Sequence, residues 1–484
     1  MRGFKLWLLL IIAVIAYFTV DLRAQDDWYV SAANYARYYR FKYSKADSAA
    51  TRFQFDLFMG DFYVGGWYEL KHVMKDSSQN LFNNITTNSL TQRYFGWENN
   101  NLTLHAGTFY EVFDRGLVLN TFRDDDVGID LVMDGLKLNY RTRYLDFDAL
   151  TATPGIGNPE QVGTAKNIIR GSRVKFKPIN NFHIGGAYAS FIEVNRSNIN
   201  QINARFIIDH LDAYVEYAKR QYLQPDPNNF MRFINRTGDG TYANATAYYS
   251  DFTGFFEYKN YYDLTYPQDG TALNLPPAVN RQDRLLQSEA FNSFIHINGE
   301  RGYRGNLTFS WTDYWGIEFD YARAYSRDTI DLHLNETYIG ARGNFYGGSS
   351  TFDVSMDWLK YTERDETRPE AEIVYELDPV YSVNLHAYMI QFQPADSADY
   401  TEKYLDITFA HAPDIRLAVG GSLSNSEHSG DPKKMGYMEL TITTGNHDLI
   451  IFNGSQRGGL VCSGGTCVYH PTFEGLRVTL LSRF

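Results

Sequence analysis

The residues with the means to act chemically are few and unevenly placed. Between Gly107 and Lys137 the chain gathers Asp114, Arg115, Arg123, Asp124, Asp125 and Asp126 in a stretch that is otherwise too long and too apolar for a surface loop. Opposite charges crowded in this way set a constriction when they project into a pore, where they choose among ions and polar solutes. The same residues would be only a charged turn if Gly116–Phe122 and Gly128–Met133 were two further strands of a sheet. Both readings stand on the sequence.

Cys462 and Cys467 are the only two cysteines and enclose Ser-Gly-Gly-Thr. In an oxidising compartment, thiols this close around a Gly-Gly turn are expected to form a disulfide. The alternatives are a redox pair or a metal site with His470, and zinc would need at least one further ligand. Gly445-Asn-His-Asp448 and Asp331-Leu-His333 match short pieces of metallophosphoesterase sites, but their order and spacing are wrong. The 11 histidines are scattered. No His-Glu-x-x-His pair, Gly-x-Ser-x-Gly elbow or phosphate loop is present. The expectation is a protein that is not an enzyme, with no catalytic residue, cofactor or metal.

The elements that carry these residues read as strands. From Leu476 every second residue is apolar (Leu476, Val478, Leu480), and the sequence stops on Phe484. Such alternation marks a strand with one apolar face. The same pattern runs through Asp134–Arg143, Asn167–Lys177, Leu211–Lys219 and Ile317–Tyr325. Short connections (178–181, 313–316, 347–350, 411–414, 444–447) alternate with longer ones (221–240, 266–287, 395–401, 425–434). Short turns on one side and long loops on the other are the pattern of a transmembrane β-barrel. The predicted fold is all-β: one antiparallel barrel of about 22 strands, within a range of 20 to 24, and no plug domain.

Composition agrees. Aromatics make up 16%, with 37 Tyr and 33 Phe, yet the chain is hydrophilic on average, as alternating faces require. Trp67, Tyr68, Trp97, Trp311, Trp315, Trp358 and Tyr361 fit interfacial girdles; a sugar-binding lumen is the other use for them. The first five residues carry Arg2 and Lys5, Leu6 to Val20 is apolar, and Ala24 ends a possible cleavage site. Residues 1–24 therefore read as a signal peptide and 25–484 as the barrel. The signal carries a net +2, so its removal takes the formal charge from −12 to −14. That acidity argues against a nucleic-acid partner.

Two regions carry a family resemblance. Arg457-Gly-Gly-Leu-Val-Cys-Ser-Gly-Gly-Thr-Cys-Val-Tyr-His-Pro-Thr-Phe-Glu-Gly475, running into Phe484, resembles an uncharacterised family of outer-membrane barrels of Bacteroidota and relatives. The Phe-Tyr, Arg-Gly-Leu and Gly-Ile-Asp elements of 107–137 are similar to that family's other recurrent region. The general form of this segment also resembles the inward region of specific porins and of alginate-type export barrels. The family resemblance implies a barrel in the bacterial outer membrane, and it brings no catalytic residues. A terminal Phe484 is similar to the signal read by the barrel-insertion machinery.

The function expected is a porin-like channel passing small polar solutes, with selectivity set by the 114–126 charges. The alternative is a non-conducting barrel that serves as scaffold or surface-complex component. Expected partners are outer-membrane lipid and lipopolysaccharide, the insertion machinery and the solutes themselves, with a surface-complex partner in the second case.

Overall fold

A computed structural model describes residues 28–42, 47–74, 85–124, 129–154, 168–192, 196–226, 229–268, 271–274, 299–312, 315–327, 333–362, 364–426, 433–456, 459–463, 466–470 and 472–484. The proposed signal peptide therefore lies outside the described residues. Among those described, 24 strands form one sheet in which each pairs antiparallel with its neighbours in sequence. The first strand, Trp28–Phe41, pairs with Asp47–Met59 on one side and with the last strand, Phe473–Arg483, on the other. That second pairing closes the barrel and leaves no open sheet edge. Phe484 extends the seam: its N–H donates to Ala32 O at 2.7 Å. The strand number stands two above the predicted 22 and inside the predicted range.

Alternation sorts the side chains of the wall. Val174, Phe176, Ile184, Ile202, Val215, Phe256, Phe319, Ile339, Leu405 and Val419 are all exposed on the outside. Their neighbours Arg173, Lys175, Asn203, Glu216, Glu257, Asp320 and Asp406 point inward. A water-soluble protein would bury this apolar belt, whereas a hydrocarbon environment stabilises it. Two-residue turns at Gly60-Asp61, Ser250-Asp251 and Gly445-Asn446 share one rim, at which Trp28 and Phe484 also lie. Gly445 sits at φ +56, a left-handed value that tight hairpins need and glycine adopts without strain.

At the opposite rim the connections are longer, with one departure from expectation. The described residues of 221–240 do not form a loop, because strands Leu211–Asp226 and Asn229–Tyr249 continue their pairing through Leu223 and Asn235. This ladder outlasts its neighbours: the flanking strands pair only as far as Tyr222 and Asp239.

The aromatic girdle is also partly redrawn. Trp311 and Trp315 pack together at the short-turn rim and Trp358 is exposed on the outer face. Trp67 instead lies inside, with the Arg52 and Arg123 guanidinium groups 4.9 and 4.7 Å from its ring. Tyr361 is inward and buried.

A recurrent device joins strands that are not adjacent. Asp56, Gly65 and Tyr94 face one another across three strands, and the Tyr94 hydroxyl donates to Asp56 over the glycine. Asp406, Gly420 and Tyr437 repeat it, with Tyr437 Oη donating to Asp406 Oδ1 at 2.7 Å. Only a residue without a side chain leaves room for such a bridge.

Candidate functional site: a hairpin inside the lumen

A barrel of 24 strands is too wide for wall side chains alone to fill. The 107–137 stretch answers that geometry. Strand Leu102–Phe109 pairs directly with Met133–Arg141, so residues 110–124 and 129–132 contribute nothing to the wall. The alternative of two extra wall strands at Gly116–Phe122 and Gly128–Met133 is thereby ruled out. The segment turns into the lumen and folds on itself. Val112 bridges Asn120, Phe113 N donates to Leu119 O at 2.9 Å, and Thr121 N donates to Glu111 O at 3.0 Å.

Local sequence explains the tip. Gly116 N donates to Phe113 O at 2.9 Å, closing a tight turn over Asp114-Arg115. Asp114 takes φ +52 and Gly116 φ +88, positions that an aspartate and a glycine tolerate better than bulkier residues do. The turn leaves Arg115 exposed while Phe113, Leu117, Val118 and Leu119 bury completely. These apolar residues pack on inward residues of strands 145–262, among them Ile169, Phe191, Ile199, Tyr242 and Tyr261. Burying one such side chain stabilises the seat by about 1.5–3 kcal/mol.

Polar contacts then fix the hairpin's position. Asp114 Oδ2 accepts from Asn203 Nδ2 at 2.9 Å and from Gln201 Nε2 at 3.1 Å, and Lys175 Nζ lies 3.3 Å from its Oδ1. Arg115 N donates to Glu216 Oε2 at 3.2 Å, and its guanidinium stands 5.5 Å from the Tyr214 ring centre. Arg123 binds Asp130 Oδ2 at 3.0 Å and Glu69 Oε1 at 3.1 Å. Asp124 pairs by backbone with Ile129. Asp125 and Asp126 lie outside the described residues.

Asp114, Arg115 and Arg123 thus meet wall groups of three separate regions, Asp114 and Arg123 through side-chain ion pairs and Arg115 through its backbone N–H and a ring contact. Tyr110 belongs to the same clamp. Its hydroxyl donates to Asp130 and accepts from Gln92 Nε2, and burial beside that carboxylate pushes its pKa upward.

A second inward segment locks the first. Leu264, Tyr266, Leu273 and Asn274 are buried inside, although 266–287 reads in sequence as an outer loop. Asn274 Nδ2 donates to Leu117 O at 3.0 Å and to Leu264 O at 3.1 Å, and its Oδ1 accepts from Tyr266 N at 2.5 Å. Tyr266 stacks on Phe191 with ring centres 4.3 Å apart.

Sequence reading missed Glu69, Lys175, Gln201, Asn203, Glu216 and Asn274. The wall residues among them hold inward positions of alternating strands. That pattern says they face the lumen, but only the sheet register says which of them meet the hairpin.

The two cysteines sit across from one another. Backbone strands Gly459–Ser463 and Thr466–His470 pair with Cys462 opposite Cys467. No group of three or more His, Cys, Asp or Glu able to hold a metal ion occurs among the described residues.

A closed barrel with an apolar exterior, a charged lumen and inward segments belongs to the class of large membrane-spanning β-barrels. More particularly, the chain belongs to a family of unknown function (DUF6029), matched over residues 1–317 and 369–484. Among curated proteins, none matches the sequence. Solved structures share the fold. One is a chain of the E. coli P pilus tip assembly intermediate PapC-PapD-PapK-PapG, at 10% identity and TM-score 0.56 over 96% of this chain. The present chain covers 62% of that chain's length. The siderophore receptor PirA from Pseudomonas aeruginosa is similar at 7% identity and TM-score 0.50, with 96% and 81% of the two chains covered. At these identities the likeness is one of fold alone.

Proposed function

We propose that this protein is a porin-like channel of the bacterial outer membrane through which small polar solutes pass passively. The observation that carries the reading is the inward hairpin seated in a lumen that stays charged and water-accessible toward the short-turn rim. Inward Arg416, Arg141 and Asp406 keep 57%, 40% and 26% of their side chains exposed there. Charges need water, so an inner wall that keeps them is one that water reaches.

In this proposal the hairpin narrows the path, and the 124–126 carboxylates contribute selectivity. Asp114, Arg115 and Arg123 hold the hairpin at its place. Outer-membrane lipid and lipopolysaccharide surround the belt, Phe484 serves insertion, and the Cys462–Cys467 pair is a disulfide in an outer loop. The C-terminal motif and the Bacteroidota origin belong to the same proposal.

One observation favours the non-conducting scaffold as second reading. Near the long-loop rim, inward Glu366 and Arg368 are only 2% and 3% exposed, so the inner wall there is shut off from water. Single-channel recording of the mature protein in planar bilayers separates the two. Discrete conductance steps are expected. A barrel that folds, shows heat-modifiable migration and stays electrically silent overturns the channel.

A further inference from the structure

The wall away from the hairpin's seat carries a further arrangement of inward residues. On four strands (Arg364–Glu376, Tyr381–Pro394, Tyr400–His411, Lys434–Thr444), inward residues at one level form a continuous line. Glu370 Oε1 lies 2.7 Å from His386 Nε2, and His386 Nδ1 lies 3.9 Å from Asp406 Oδ2. Tyr437 Oη closes on the other Asp406 oxygen over Gly420. Directly beside them, Tyr388 and Tyr404 stand in register with ring centres 4.1 Å apart.

Aromatic rings then continue around the wall. Tyr437 stacks on Phe452 at 5.4 Å, Phe452 meets Phe473 at 5.9 Å, and Phe473 meets Tyr39 of the first strand at 5.6 Å. The hairpin packs on strands 145–262, so this line is not its seat. Glu370 and Asp406 keep 18% and 26% of their side chains exposed.

We propose that this line is a binding track for neutral oligosaccharides in the lumen. The proposal deepens the channel reading by naming a substrate class. A wall that only bounds water is expected to be polar throughout. Phe452 is 3% exposed beneath Arg477, but Tyr388, Tyr404, Tyr437, Phe473 and Tyr39 are half-buried and offer ring surface to an apolar face. A pyranose supplies one, because its C–H face is apolar while its rim carries hydroxyl pairs. Ring surfaces take the first, and carboxylates with free lone pairs accept from the second.

Charge argues for a neutral ligand. Each carboxylate of the line already faces His386, and Arg477 lies 4.8 Å from the Phe452 ring centre. The track is a mixed surface with both signs present, which suits hydroxyls better than a compact cation.

The test uses mature, folded protein with maltohexaose, cellohexaose and chitohexaose as probes, in bilayers and by calorimetry in detergent. At least one probe is expected to bind and to interrupt the current with a frequency that rises with its concentration. Tyr388→Ala and Tyr404→Ala should each weaken binding about tenfold, while Tyr404→Phe keeps it. Tyr388→Leu preserves bulk and serves if the alanine variant fails to fold. Heat-modifiable migration verifies the barrel in every case.

Flat calorimetry with all three probes overturns the track while leaving a conducting channel intact. Binding that survives both alanine substitutions overturns it equally, as does block by tetramethylammonium without block by any sugar. A silent barrel whose sugar binding is lost in Tyr388→Ala would retain the track and remove the channel.

Discussion

Asp114 at the tip of the inward hairpin accepts a 2.9 Å hydrogen bond from Asn203, a wall residue 89 positions later in the chain. With its side chain 1% exposed and Lys175 Nζ 3.3 Å away, this carboxylate joins the tip to the wall by charge as well as hydrogen bonds. Removing one partner of such a buried pair costs more than the pair itself is worth, because the other charge is stranded. Asp114→Ala should therefore loosen the tip by about 3 kcal/mol. Asp114→Asn, which keeps the shape and one acceptor, should lose less. Single-channel traces are expected to show larger and noisier steps for the alanine variant. Identical conductance and identical protease resistance in the two variants would remove the anchoring role.

Packing predicts a contrast one residue earlier. Phe113 is fully buried in the hairpin seat, whereas Val112 is 40% exposed. Phe113→Ala should destabilise the folded barrel by about 3–5 kcal/mol, through lost transfer energy and the cavity left behind. Val112→Ala should stay within about 0.5 kcal/mol of the parent. Denaturant midpoints in detergent micelles would decide, and equal midpoints for the two variants would contradict the seat described above.

The barrel was legible because its wall obeys a period of two, and the strands with strong outward apolar positions stand out in sequence. Strand Arg364–Glu376 shows where this legibility ends. Its inward face is Glu366, Arg368, Glu370 and Glu372, and Pro369 interrupts the ladder to the next strand, where pairing skips from Thr367 to Glu370. Only Ala371, Ile373 and Tyr375, all at one end, mark its outer face firmly, too little for periodicity to find. Trp28–Phe41 fails differently, since aromatics on both faces blur the alternation. The hairpin was half legible: its charges and apolar length set it apart, but the choice between wall and lumen depends on Leu102–Phe109 pairing past it. For Trp67 the sequence favours the girdle over the lumen only because a tryptophan near a strand end looks the same on either side. Its partners Arg52 and Arg123 are 15 and 56 positions away, and only the register brings them together.

Selectivity should follow the run of aspartates at 124–126. Asp124, Asp125 and Asp126 add three negative charges to a stretch in which Arg123 and Asp114 are ion-paired. A fixed negative charge beside a narrow aqueous path raises the local concentration of cations. Replacing all three by Asn should weaken cation preference, read as a reversal potential moving toward zero in a salt gradient. High salt should shrink the difference by screening. Reversal potentials unchanged at low salt would exclude these aspartates from the permeation path.

The Asp–Gly–Tyr bridge across three strands makes a prediction about glycine. A methyl group built at Gly420 meets the Asp406 carboxylate and the Tyr437 ring, whereas one built at Gly305 meets nothing within 4 Å. Gly420→Ala should force both side chains off their rotamers at a cost of about 1–3 kcal/mol. The same change at Gly305 should be neutral or slightly stabilising, since alanine restricts the unfolded chain. Equal thermal midpoints for the two variants would show that the bridge contributes nothing.

The last prediction concerns the cysteines. Residues directly opposite in an antiparallel pair have Cα atoms about 4.5–5.5 Å apart, inside the range of about 4.4–6.8 Å that disulfides occupy. Cys462 and Cys467 hold such positions in their hairpin. Protein purified from membranes should therefore resist thiol labelling until reduced, and gain about two mass units on reduction. Because the closed loop is short, the bond should stabilise its own hairpin by no more than about 2 kcal/mol. Cys462→Ser together with Cys467→Ser should consequently leave the barrel's thermal midpoint nearly unchanged and raise protease cleavage between 457 and 472. Thiols that label fully in the unreduced protein would rule out the bond. A metal or redox role for the pair with His470 would then be the reading to pursue.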